Sequence, residues 1–364
     1  MGTTLEAVRR LLPAVAAQAA QVERDRALPG TLLKDLTEAG CFRMKTPRRF
    51  GGDELPLTEV IEVIAALSRA DASVGWCVGQ HCAGQLLLND FPEAAIEDAY
   101  ADGPDLLMSG ANAPKGRALR TDGGWRVSGR WSFVSGCPWA TRISAICRVN
   151  TDDGPGLLMV LFPAGQTRIH DTWSVTGLAG TASHDVSIQG FCPDGHCYLL
   201  DPDSGFPKAE QGSLFVAAVA AGIAGRALDE ITALAATGKR PLFSADTLSA
   251  SPLFQHRLGR ADMTLRAAFA LLREQAAVVG SGEDTSPVAR GRAYASGPAI
   301  TALAKEVAAE AFELGGGSAV YQTSELQRAL RNVQTAGQHF LNGPFMPTRL
   351  GVSLLEAAHA DTSG

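Results

Sequence analysis

A hydroxyl at the end of an aromatic stretch is the first chemistry legible in the chain. Gly129–Trp139 alternates, ends in a glycine turn and concentrates aromatic residues in a sequence with few of them. Period-two alternation predicts that Trp131, Phe133 and Ser135 share one face of a strand. Such a strand could line a flat cofactor and hydrogen-bond its edge from Ser135. Periodicity reports burial as readily as chemistry, so a plain core strand is the alternative reading. Two other groupings invite a metal: Cys77 with His81 and Cys82, and Cys192 with His196 and Cys197. Neither has the Cys-x-x-Cys spacing of a zinc knuckle, and no metal site is expected.

The elements that must position these residues fall into three textures, which predict an α+β, mostly α chain. Residues 1–103 read as helices, with Leu28-Pro29-Gly30 and Gly40 as stops and Asp71 as a cap for a helix carrying Trp76 and His81. Residues 104–203 read as a β-domain of roughly six to eight short strands, broken by Gly, Asp and Pro turns. Its second expected strand runs Trp125–Ser135. Residues 204–364 carry four long helical segments, Leu214–Gly238, Ser251–Val279, Pro287–Leu314 and Ser324–Phe340, which read as an antiparallel four-helix bundle.

Bulk properties narrow the function classes. The chain has 364 residues, 46% hydrophobic and 19% charged, which suits a folded protein rather than a disordered one. A net charge of −6 carries no nucleic-acid footprint. Seven cysteines, an odd number scattered singly, predict no disulfide framework and a reducing cytoplasm. The apolar run Leu214–Ala224 is too short to cross a membrane. No Gly-x-Gly-x-x-Gly occurs, so no nicotinamide dinucleotide site is expected.

Helices, then a β-domain, then a bundle is an uncommon order. Together with several motifs it resembles the acyl-CoA dehydrogenase superfamily along nearly the whole chain. The motifs are Gly51-Gly52, Asp71–Trp76, Trp131–Gly136, Val175–Val186, Arg240–Phe243, Glu313–Gly316 and Leu326–His339. A dehydrogenase of this superfamily commonly carries a catalytic glutamate near the last motif. Here Gln327–Phe340 has no acidic residue and presents His339. In that respect the sequence is similar to the flavin-dependent monooxygenase branch.

The resemblance implies an oxygenase that takes reduced FMN or FAD from a separate flavin reductase and uses O2, through a flavin C4a-hydroperoxide, to hydroxylate an aromatic or polyketide-like small molecule. It also implies a homotetramer. Under it, Ser135 would hold the flavin N5 proton, and His339 would act as general base on a phenolic substrate, since an unperturbed imidazole titrates near ~6.5. Trp76, His81, Ser109 and Asn112 would line the substrate pocket. Trp131, Phe133, Ser135, Arg240, Phe243, Gln255, Gly315 and Gly316 would contact cofactor, the last pair by close backbone approach from a second subunit. N-oxygenation of an amine, a dehydrogenase or oxidase without the usual glutamate, and a non-catalytic binding protein remain alternatives.

Overall fold

The computed structural model describes residues 3–151, 154–201, 208–242, 244–343 and 345–362. Five helices lead the chain: α1 (Thr4–Asp25), α2 (Gly30–Glu38), α3 (Leu57–Ala70), α4 (Ala72–Leu88) and α5 (Glu93–Ala99). Local chemistry sets their ends. Thr3 and Glu6 form a reciprocal capping box on α1, and the Asp71 carboxylate accepts from Val74 N–H to cap α4, as its sequence predicts. Nearly every side chain of α4 is buried, because α3, α6 and the sheet cover it from different sides.

One seven-stranded sheet follows: β1 (Met108–Thr121), β2 (Gly124–Trp131), β3 (Arg142–Thr151), β4 (Gly154–Pro163), β5 (Thr167–His170), β6 (Asp185–Pro193) and β7 (Cys197–Leu199). Their spatial order is β5-β6-β2-β1-β3-β4-β7. The β1–β3 pair is parallel; the other pairs are antiparallel. β1 and β2 form a hairpin over Asp122-Gly123, with Gly123 at φ 74°, where a glycine relieves the strain of a left-handed turn.

The second half is helical: α6 (Ala209–Ala236), α7 (Pro252–Ser281), α8 (Pro287–Gly315), α9 (Glu325–Ala336) and α10 (Phe345–Thr362). All four expected helices are present. The α10 helix lies beyond Phe340, where the last expected helical segment ends. The apolar run Leu214–Ala224 is the middle of α6, which packs against α3, α4, α7, α8 and α9 and so has no face for water. No helix of the described residues is long and apolar enough to cross a membrane. One core unites α1–α4 with α6–α9, so helices from both ends of the chain share a single apolar interior.

Close crossings in that interior need glycine. A Cβ on Gly222 of α6 would lie 2.4 Å from the Ala65 carbonyl oxygen of α3. Gly259, exposed on α7, has open space where its Cβ would go. Gly222→Ala should therefore destabilise by about 1–3 kcal/mol through overpacking. Gly259→Ala should stabilise by about 0.5–1 kcal/mol by restricting the unfolded chain. Denaturant unfolding of the two variants beside the parent checks both signs.

Candidate functional site

The segment after β2 departs from the expected strand. β2 ends at Trp131, and Phe133 turns left-handed at φ 66°. The chain then tightens: Ser135 N–H donates to Phe133 O at 3.1 Å and Cys137 N–H to Val134 O at 3.2 Å, with Gly136 at φ 71°. Alternation stops where the ladder stops, so Trp131, Phe133 and Ser135 share no face. Trp131, 1% exposed, lies in the sheet core and donates its indole N–H to Ile146 O at 2.9 Å. It is a packing residue enclosed away from any surface. Phe133 is 71% exposed, with Trp173 edge-on at 6.0 Å. Ser135 turns inward and is 8% exposed.

Around Ser135 the fold gathers groups from distant stretches. The Trp76 indole of α4 donates to Ser135 Oγ at 2.9 Å. Ser183 Oγ lies 2.7 Å from Ser135 Oγ, and Thr181 Oγ1 lies 2.7 Å from Ser183 Oγ. Ser109, at the start of β1, donates to the Ser135 carbonyl at 2.7 Å. The 178–184 loop is zipped to the 133–137 turn by Gly136 N–H to Thr181 O at 2.9 Å and Val134 N–H to His184 O at 3.1 Å. Ser183 and Thr181 were missed by the sequence reading. Their signal was present, as two small hydroxyls inside a glycine-rich loop, but turn-forming roles explain such residues equally well.

The two candidate histidines carry opposite polarity. His339 caps a short 3₁₀ turn beyond α9, rather than sitting in a long helix, and its ring stands edge-on to Trp76 at 5.6 Å. Its Nδ1 accepts from Leu341 N–H over a long 3.4 Å, which leaves the hydrogen on Nε2. His81 does the reverse. Its Nδ1–H donates to Met108 O at 3.1 Å, so Nε2 bears the lone pair; that atom is buried, has no partner among the described residues, and faces Gly136. Burial pushes both imidazoles down to about 4, against a rising contribution from Met108 O at His81. Both rings are therefore neutral at neutral pH. Trp76 and His81 do not form one stripe on α4, yet both converge on residues 135–136.

A narrow cleft of about 60 Å³ adjoins this group, lined by Gln80, Asn112, Lys208, Gly212, His339 and Leu341 among others. No carboxylate lines it among the described residues. A larger cavity of about 600 Å³ shares Lys208, which pairs with Asp90 at 3.1 Å on the boundary. Small-molecule sites usually span ~300–1,000 Å³, so the narrow cleft by itself is smaller than such a site and the neighbouring cavity falls within that range.

Four other sequence candidates lie elsewhere. Arg240 donates to Ala245 O within its own loop, and Gln255, in the first turn of α7, donates back to Ser249 O at 2.8 Å. Lys239 Nζ, next in sequence, donates to Gly315 O at 3.0 Å and so ties this loop to Gly315 and Gly316. These residues form a second group at the end of the bundle, and the described contacts do not link it to Ser135. Phe243 lies outside the described residues. No cluster able to hold a metal occurs among the described residues.

The neutral histidines make stability depend on pH. Folded, both titrate near 4; unfolded, near 6.5, so the unfolded chain binds more protons between those values. Their contribution is complete above pH 6.5 and is lost as pH falls toward 4. Buried Asp71 opposes them: its folded carboxyl, pushed up to about 6 by burial from 3.8, takes up a proton that the unfolded chain releases. Asn at position 81 can keep the bond to Met108 O without titrating. His81→Asn should therefore lose less unfolding free energy than the parent between pH 7 and 5, by on the order of 1–2 kcal/mol. Urea melts at the two pH values read this difference directly.

Two family models match the chain: the acyl-CoA dehydrogenase N-terminal domain over residues 3–101 and the C-terminal domain over residues 214–344. An indole-3-acetate monooxygenase of Pseudomonas putida is 28% identical over 340 residues, spanning 90% of this chain and 87% of that protein. The oxygenase subunit HsaA of a flavin-dependent monooxygenase from Rhodococcus jostii is 28% identical over 363 residues, spanning 92% and 93%. Among solved structures, XiaF from Streptomyces sp. in complex with FADH2 and glycerol matches with a TM-score of 0.91 at 24% identity, covering 97% of this chain and 95% of that one. With helices before the sheet, a bundle after it and both domain models matched, the chain belongs to the acyl-CoA dehydrogenase superfamily.

Proposed function

We propose that this protein is the oxygenase component of a two-component flavin-dependent monooxygenase, hydroxylating an aromatic or polyketide-like small molecule with reduced FMN or FAD and O2. The observation that carries this reading is the pairing of Ser135 and Trp76 with His339 beside a cleft lined by no carboxylate among the described residues. A dehydrogenase of this superfamily commonly carries a carboxylate base near that position. The whole-length likeness to oxygenases supports the same conclusion.

The residues present fit a reduced flavin. Ser135 Oγ takes the Trp76 donor and lies against Ser183 Oγ, which leaves it one lone pair, and Phe133 two residues earlier is exposed. When bound, that group supplies the two electrons that activate O2. The protein's part is to exclude water, to hold the N5 proton at Ser135 Oγ, and to set the substrate. His339, neutral and bearing its hydrogen on Nε2, suits a donor to a phenolic oxygen, which stabilises phenolate as charge develops. To act as a general base it must first exchange tautomers and give up the Leu341 bond.

Delivery of flavin by a separate reductase belongs to the same proposal, supported by the relative's standing as an oxygenase subunit. So does a cytoplasmic location, supported by seven free and buried thiols. A homotetramer is supported by exposed Val352, Leu354 and Leu355 on α10.

Mixing the protein and chemically reduced flavin with O2 should delay the return of oxidised-flavin absorbance well beyond that of free flavin; immediate return would sink the proposal. Ser135→Ala should raise the share of O2 released as peroxide, by roughly tenfold in the rate of that loss. His339→Ala should lower hydroxylation ~10²–10⁴-fold with flavin binding kept. His339→Asn separates the two roles. It can still donate, so it should retain most of the rate that Ala loses; equal loss in both variants would restore the general base.

A further inference from the structure

The hydroxyls behind Ser135 have only one arrangement of hydrogens that satisfies every contact. Each hydroxyl owns a single hydrogen and two lone pairs. Thr181 Oγ1 lies 2.8 Å from the Leu178 carbonyl, closer than the Trp173 indole at 3.0 Å and Thr181 N–H at 3.2 Å, and a carbonyl can only accept, so that contact holds only with the Thr181 hydrogen directed at it. Ser183 must then donate to Thr181 Oγ1 across 2.7 Å. With its hydrogen committed, Ser183 can only accept from Ser135, again at 2.7 Å. Trp76 is a pure donor at 2.9 Å and fills one lone pair of Ser135. The run therefore goes one way, from Trp76 through Ser135, Ser183 and Thr181 to the Leu178 carbonyl. Thr181, Ser183 and Ser135 are all buried, so no bulk water competes to reorient them.

What remains free on Ser135 is one lone pair and no hydrogen. We propose that Ser183 and Thr181 are positioning residues that fix Ser135 as a hydrogen-bond acceptor, so that the site selects flavin by redox state. The proposal rests on the flavin reading above. Reduced isoalloxazine carries a hydrogen on N5 and can donate to Ser135. Oxidised isoalloxazine presents a lone pair at N5, which would meet the lone pair of Ser135. The relay thus rewards the reduced form and rejects the oxidised one, without any charged residue. The backbone around it is held in unusual conformations. Phe133, Leu178 and Ala182 are non-glycine residues at φ 66°, 54° and 44°, and they flank the relay on both of its segments. Such strain persists only where surrounding structure enforces it. Here Asn332 of α9 does so, accepting from Leu178 N–H at 2.8 Å.

The test compares dissociation constants for oxidised and for chemically reduced FMN and FAD, measured anaerobically, without turnover. The parent should bind the reduced form more tightly. Ser183→Ala releases the Ser135 hydrogen, which can then reach an N5 lone pair. Affinity for oxidised flavin should rise roughly three- to tenfold, and the reduced-to-oxidised preference should shrink by that factor. Ser183→Thr keeps a hydroxyl and should restore the parental preference, which a merely structural role would not require. Thr181→Val gives a nearly isosteric second route: it frees the Ser183 hydrogen, and with it that of Ser135, and should move the preference in the same direction. Unchanged preference in folded Ser183→Ala or Thr181→Val overturns the relay. A parent protein that binds flavin in neither state overturns the flavin reading itself, and the relay with it.

Discussion

Everything at the candidate site depends on the seam where residues 133–137 lie against residues 178–184. Two backbone hydrogen bonds, Gly136 to Thr181 and Val134 to His184, close it. Because the backbone is pinned there, three small hydroxyls meet in register and one indole from α4 can reach them. Neither segment belongs to the sheet ladder. Each leaves a strand or a helix-like turn through a left-handed residue, at φ values that strand residues do not adopt. The seam is thus built from backbone that the sheet has released, and α4 covers it.

The α9 helix holds the far side of the seam. Asn332 binds Leu178 N–H, and Arg331 reaches the Thr176 carbonyl. Glu23 of α1 pairs with both Arg328 and Arg331 at 2.6–2.7 Å, so the first and ninth helices are tied before the loop is reached. Arg328 is buried and also contacts Glu325 at 2.6 Å. Removing one partner from such a buried group leaves an uncompensated charge, which is far more damaging than the pair is stabilising. The network therefore matters for placing the loop more than for net stability.

Apart from Lys208 at the cleft's edge, paired with Asp90, the site carries little charge. Its two histidines are neutral by burial, and no carboxylate lines the cleft among the described residues. Polarity comes instead from the direction of fixed hydrogen bonds: Ser135 accepting, His339 presenting Nε2–H, His81 presenting a lone pair. Dipoles held this way need no reorganisation when charge develops, and a low-dielectric surrounding strengthens them.

Much of this was legible in the chain. Texture along the sequence identified helices, sheet and bundle, because apolar periods of 3.6 and 2 are local consequences of which face is buried. The Asp71 cap, the glycine stops and the missing glutamate before His339 are likewise read from neighbours in sequence. Three things were not. Alternation through Phe133 predicted one shared face, but a single left-handed residue ends the strand, and side-chain pattern does not report that φ. Trp131 looked like a cofactor wall and is core, since an aromatic suits either place. Above all, the joining of Trp76, Ser135, Ser183 and His339, contributed by stretches up to 263 residues apart, is decided by the common core of the first and last helices. Local patterns choose the elements; only their packing brings a donor from α4 to a hydroxyl beyond β2 and sets which way its hydrogen points.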